Sequence, residues 1–352
     1  MTRCRCSPDV CSHAGGMATS SSARTVLVVV KIAKSLAAAA MIATMSACTT
    51  PPPAPLPAPP PGAAPGTSGT PAKLLTWPDL LARPKPAPDK TFRYGADPYQ
   101  VADLWLPAAK GPHPVVLMVH GGCWTTSIAD RTLMNYLAGD LRGRGYAVWN
   151  IDYRGVDRPG GGYPGTFLDA AAAADLLRSA AREHPLDLGR VVAVGHSAGG
   201  HLALWLAARP RLPAASPLRT SVPLRVRNVI SLGGLPDLEL AAAPPGSGCG
   251  IEVIDKLVGP PTFSSRDVYA DTSIPRLAPL GVRQWLVNGD TDRIIPNDFA
   301  TGYAAKMRTA GDEVSVDFIS ATGHVELVAP GSKAWSHTLG LIAEATTRRP
   351  RR

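Results

Sequence analysis

Residues 190–208 read RVVAVGHSAGGHLALWLAA, and this stretch decides the fold. Arg190 to Val194 is a short apolar run of the kind found in a strand buried on both faces. His201 to Ala208 continues as helix. Between them, Gly195-His196-Ser197-Ala198-Gly199 fits G-x-S-x-G, a strained strand-to-helix turn that exposes a serine hydroxyl at the top of a sheet. Gly195 and Gly199 must be small because strand and helix approach closely there. The pentapeptide alone recurs by chance; a strand before it and a helix after it give it meaning.

Outward from this turn, strand and helix patterns alternate. Tyr99 to Leu106, Pro114 to Val119, Tyr146 to Ile151, Val226 to Leu232, Val282 to Val287 and Val314 to Ile319 read as strands. Asp130 to Arg144, with leucines at 133, 137 and 141, reads as helix, as do Phe167 to Arg182, Asn297 to Thr309 and Ala334 to Ala345. Such alternation predicts an α/β fold, a mainly parallel central sheet flanked by helices, in one domain over residues 73–347. The interval of about 236–280, rich in proline and glycine without a clean period, is read as a lid over the site.

A serine hydroxyl is a poor nucleophile until a base takes its proton, so a histidine and an acid should follow Ser197 in the chain. His324, in a loop after the strand ending at Ile319, is the candidate base; His201 lies in the helix after the turn and His337 on the final helix. Two carboxylates compete for the acid, Asp290 and Asp292, and the pattern Gly289-x-x-Asp292-x-x-Ile295-Pro296 favours Asp292. The charge that appears on a carbonyl oxygen under attack needs hydrogen-bond donors. Ala198 N–H is one, and the loop His120-Gly121-Gly122-Cys123-Trp124 should supply another from Gly121 or Gly122.

These residues together resemble the α/β-hydrolase superfamily from about Tyr94 to Ala345. Within it the chain is similar to the esterase branch that holds hormone-sensitive-lipase-like carboxylesterases and kynurenine formamidases. The resemblance rests on Tyr94-Gly95, the His120–Trp124 loop, Asp152-Tyr153-Arg154, the Gly195–Gly199 turn, Asp292 and His324. It implies a serine carboxylesterase working through an acyl-enzyme without metal or cofactor, on a small-molecule ester or amide. A formamidase or small-amide hydrolase is the alternative, and a catalytically silent binding protein on the same fold a third reading. Where a third glycine often stands this chain has Cys123, which narrows the pocket and leaves open whether 121, 122 or 123 donates. Cys123, Trp124 and Tyr153 are expected in the substrate pocket. Arg154 and Asp169 are expected to form a supporting ion pair, and His196 to pack.

The remaining 80 residues or so read differently. In residues 1–48, Lys31 and Lys34 precede an apolar run from Leu36 to Met45, then Ser46-Ala47-Cys48, as in a secretory signal. Met45-Ser46-Ala47-Cys48 resembles the bacterial lipobox, which makes Cys48 the lipidation site and the cell envelope the expected location; an ordinary signal peptide or a single membrane anchor are the other readings. Residues 49–72 form a linker, with ten prolines between 49 and 71, suited to extended polyproline II. Residues 348–352 are a basic tail. The net charge of +9 sits in the two ends, since residues 49–347 hold 27 basic and 26 acidic side chains, and this argues against a nucleic-acid partner. Cys123 and Cys249 are the two cysteines after Cys48, an even pair that in an exported protein suggests a disulfide.

Overall fold

The computed structural model describes residues 73–244, 246–262 and 266–347. The signal segment, Cys48, the whole linker and the basic tail lie outside these. In chain order the elements are α1 (Trp77–Leu81), β1 (Lys90–Arg93), β2 (Val101–Trp105), β3 (His113–Val119), α2 (Asn135–Gly143), β4 (Ala147–Ile151), α3 (Gly165–Glu183), β5 (Leu186–His196) and α4 (Ala198–Ala208). There follow β6 (Asn228–Leu232), α5 (Leu238–Ala242), α6 (Ile251–Val258), β7 (Arg283–Gly289), α7 (Asn297–Thr309), β8 (Val314–Ile319) and α8 (Lys333–Thr346).

Among the described residues eight strands form one sheet in the order β1-β2-β4-β3-β5-β6-β7-β8. Pairs β1·β2 and β2·β4 are antiparallel and all others parallel. The unbroken apolar run of β3 follows from its burial on both faces. Val115, Leu117 and Val119 pack into one core with α3, α4 and α7, while Val116 and Met118 pack into a second with α1, α2 and α8. Helix α4 has no polar face because every one of its residues is buried. The expected helix 130–144 divides, Arg131–Met134 being a 3-10 turn capped by Asp130 before α2 begins.

The segment expected to be a lid behaves otherwise. Leu238, Ala241, Ile254, Leu257 and Ile274 of the 236–280 interval are fully buried in the α3/α4 core, so its apolar residues complete that layer. Helix α6 gives it the amphipathic period that its prolines and glycines obscure. A different segment crosses the face where the parallel strands end: residues 73–86, with α1 inside them.

Candidate active site

The turn between β5 and α4 holds Ser197 at φ 55° and ψ −124°, a left-handed conformation that costs a non-glycine residue free energy and is kept by its surroundings. Its N–H donates to Leu232 O at 2.8 Å, which fastens the turn to β6. A Cβ at Gly195 would stand 2.0 Å from Gly199 O, and one at Gly199 2.2 Å from Val119 O. No side chain larger than hydrogen fits at either position, and the closeness brings β3, β5 and α4 together beneath the serine.

His324 follows β8. Its Nδ1 lies 2.6 Å from Asp292 Oδ2, and both side chains are nearly inaccessible. With the proton on Nδ1 the ring keeps a lone pair on Nε2. The other oxygen of Asp292 accepts from Ile294 N (2.8 Å) and Ile295 N (3.0 Å), so the carboxylate is fixed at both ends. Asp290 instead accepts from Thr322 N at 3.3 Å and so ties its loop to the loop after β8. Ser197 and His324 both line one cleft of about 590 Å³, together with His196, Gly122 and Cys123.

Gly122, Cys123 and Trp124 run through three successive positive φ angles, 100°, 50° and 51°. This run is held from two sides. Cys123 is disulfide-bonded to Cys249, with a Cα–Cα distance of 5.3 Å. Beneath it the His120 ring stacks on Tyr153 at 4.3 Å and lies 3.0 Å from Asp152 Oδ1 and 2.7 Å from Gly121 O. Arg131 bridges Asp152 (3.0 Å) and Asp103 (2.7 Å), so the buried carboxylates are compensated. A Cβ at Gly121 would come within 3.0 Å of Ser197 Cβ, so the loop backbone passes directly over the serine.

Two of the residues expected in the pocket are not there. Trp124 and Tyr153 are fully buried and line no part of the cleft. Tyr153 donates its hydroxyl to His120 O at 3.0 Å, and Trp124 packs edge-on against His201 at 5.5 Å. Their amphipathic rings are used under the loop and not on its surface. Arg154 forms a two-point ion pair with Asp169 at 2.7 and 2.9 Å. Nor does the 236–280 segment contribute a lining residue among those described; Trp77, Leu81 and Lys85 of the N-terminal crossing segment do.

His196 is buried, and its Nε2–H donates to the backbone oxygen of His324 at 3.2 Å. Burial, with His324 close by, holds its pKa well below the ordinary histidine value, so it is a neutral strut beside the His324 ring. Sequence reading missed Glu326 altogether. Its buried carboxylate accepts from Gly323 N (3.0 Å) and from Leu75 N, joining the histidine loop to the crossing segment. The spacing His324-x-Glu326 was the available signal, but its partner lies some 250 positions away.

The BD-FAE family profile matches residues 102–307, more than half of the chain. A probable isoprenylcysteine alpha-carbonyl methylesterase of Arabidopsis thaliana is 33% identical over 115 residues, 32% of this chain and 23% of that protein. The chain thus spans under a quarter of the length of the curated relative it matches. Among solved structures, esterase B from Lactobacillus rhamnosis superposes with TM-score 0.62 at 20% identity, covering 74% of this chain and 87% of that one. A truncated carbohydrate esterase from gut microbiota gives 0.57 at 16% identity, covering 74% and 97%. Tabun-modified esterase 2 of Thermogutta terrifontis gives 0.58 at 19% identity, covering 77% and 96%. At such identities the likeness concerns the fold, which is that of the α/β hydrolases.

Proposed function

The chain belongs to the BD-FAE family, and from that premise we propose that it is a serine carboxylesterase, exported and held at the cell envelope by a lipid on Cys48. The observation that carries the catalytic reading is the 2.6 Å contact of His324 Nδ1 with Asp292, in the cleft that Ser197 also lines. In this reading Ser197 Oγ attacks the ester carbonyl as His324 Nε2 takes its proton. Ala198 N–H and a backbone N–H of the Gly121–Cys123 loop stabilise the oxygen that becomes negative; one such donor is typically worth roughly 3–4 kcal/mol in the barrier. His324 returns the proton to the departing alcohol, leaving an acyl-Ser197. Water, deprotonated by the same imidazole, then releases the acid. Asp292 keeps the proton of the neutral ring on Nδ1 and stabilises the imidazolium.

The match to a methylesterase supports an ester in preference to an amide. Turnover of p-nitrophenyl acetate or butyrate, abolished in Ser197→Ala, with a fluorophosphonate label on Ser197, is the expected result. An unlabelled, inert wild type would leave a binding protein, and faster cleavage of N-formylkynurenine than of short esters would favour a formamidase. Lipidation rests on Met45-Ser46-Ala47-Cys48. Labelled palmitate should enter the wild type and not Cys48→Ala; equal incorporation in both removes the anchor.

A further inference from the structure

Residues 75–86 lie across the cleft as a fixed wall, pinned along their length. Leu75 N–H donates to Glu326, and Thr76 and Asp79 cap each other at the start of α1, Thr76 Oγ1 donating to Asp79 Oδ2 at 2.7 Å. Leu80 is fully buried in the α2/α8 core. Arg83 donates to Pro330 O at 3.0 Å, Lys85 to Thr132 Oγ1 at 3.2 Å, and Asn135 to Pro86 O at 3.0 Å. A segment held at this many points presents the cleft with a surface of set shape.

Trp77 is the part of that wall nearest the chemistry. Its indole stands edge-on to the rings of both His324 (centroids 6.4 Å apart) and His196 (6.1 Å). It lines the cleft with Leu81, Ile128, Ala129, Leu133 and Ile294. Leu81 and Ile128 are more than half exposed, at 51% and 64%, so apolar surface continues from the imidazole out to the mouth. Exposed apolar side chains that converge on a reactive group are better explained by an apolar substrate than by chance.

We propose that Trp77 is the specificity-determining residue of this site, limiting the size of the apolar group that an ester may place beside the reacting carbonyl. The inference rests on the esterase reading above. Because the wall is pinned, deleting the indole leaves space that its neighbours do not refill, and bulkier esters gain.

The test is the ratio of kcat/KM for p-nitrophenyl octanoate to that for the acetate. Trp77→Ala is expected to raise the ratio on the order of tenfold or more, within the range that pocket methylenes command, and Trp77→Phe to stay close to wild type. If Trp77→Ala does not fold, Trp77→Leu, which keeps the buried contacts, should move the ratio in the same direction. A merely structural tryptophan would lower the melting temperature or kcat for both esters alike. An unchanged ratio in a folded Trp77→Ala or Trp77→Leu protein overturns the assignment. Wild type inert toward every ester overturns the esterase reading itself.

Discussion

At the scale of single residues, the two acids of the 289–296 loop divide their work by where their oxygens point. Asp292 meets His324, and Asp290 bonds back to Thr322. Asp292→Asn should therefore lower kcat by about three to four orders of magnitude, because the imidazole loses its orienting anion. Asp290→Asn should stay within a few-fold; a steady-state comparison of the two decides, and the reverse order would transfer the role. His201 bears on stability. Its Nε2–H donates to Thr272 O at 2.8 Å, and complete burial lowers its pKa from 6.5 to about 4. The unfolded chain takes up a proton there below pH 6.5, whereas the native chain does so only near 4. The stabilisation is full above 6.5 and is lost as pH falls towards 4, by about 3 kcal/mol. The depressed pKa of His196 acts in the same direction. Urea midpoints should fall between pH 7 and 4.5, and less steeply in His201→Gln, which keeps a donor without a proton to gain; equal slopes would refute this.

At the scale of elements, the Gly122–Trp124 loop is a strained run secured from a distance. Left-handed backbone costs a non-glycine residue roughly 1–2 kcal/mol, and Cys123 and Trp124 both adopt it. The bond to Cys249 spans 126 residues, which in the chain-entropy account is worth on the order of 4–5 kcal/mol. Reduction to two thiols, or the double variant Cys123→Ser/Cys249→Ser, should lower the melting temperature and kcat together, with KM less affected. A variant with native kcat would show that the His120 stack and the Asp152–Arg131 pairing hold the loop unaided. What the sequence made legible follows element length and locality. Asn297–Thr309 and Val314–Ile319 are found with their expected bounds, since long periodic runs declare their buried faces. Lys90–Arg93 and Trp77–Leu81 escaped notice: at four and five residues they show no period, and contacts from elsewhere stabilise them.

At the scale of the whole molecule, the layered sheet was readable because the apolar runs of its inner strands, β3, β4, β6 and β7, report burial on both faces, and the serine turn is local in sequence. The cleft's walls were not readable. Prolines and glycines made 236–280 look like a cover, although its leucines and isoleucines belong to the core. The true wall next to the linker is recognised by pairings such as Leu75 with Glu326, which no local pattern announces. The acidic partner of the histidine was legible only as a choice of two, because neighbouring carboxylates on one loop differ in direction and not in kind. The pinning of residues 75–86 also has a mechanical meaning. A pull applied from the N-terminal side would reach Leu75 first and pass through the Glu326 carboxylate to Gly323, one residue from the imidazole. Tension at that end would loosen the His324 loop before it strained the sheet, so a protein tethered there should lose turnover under loads that leave it folded, whereas the same load borne through α8 should not.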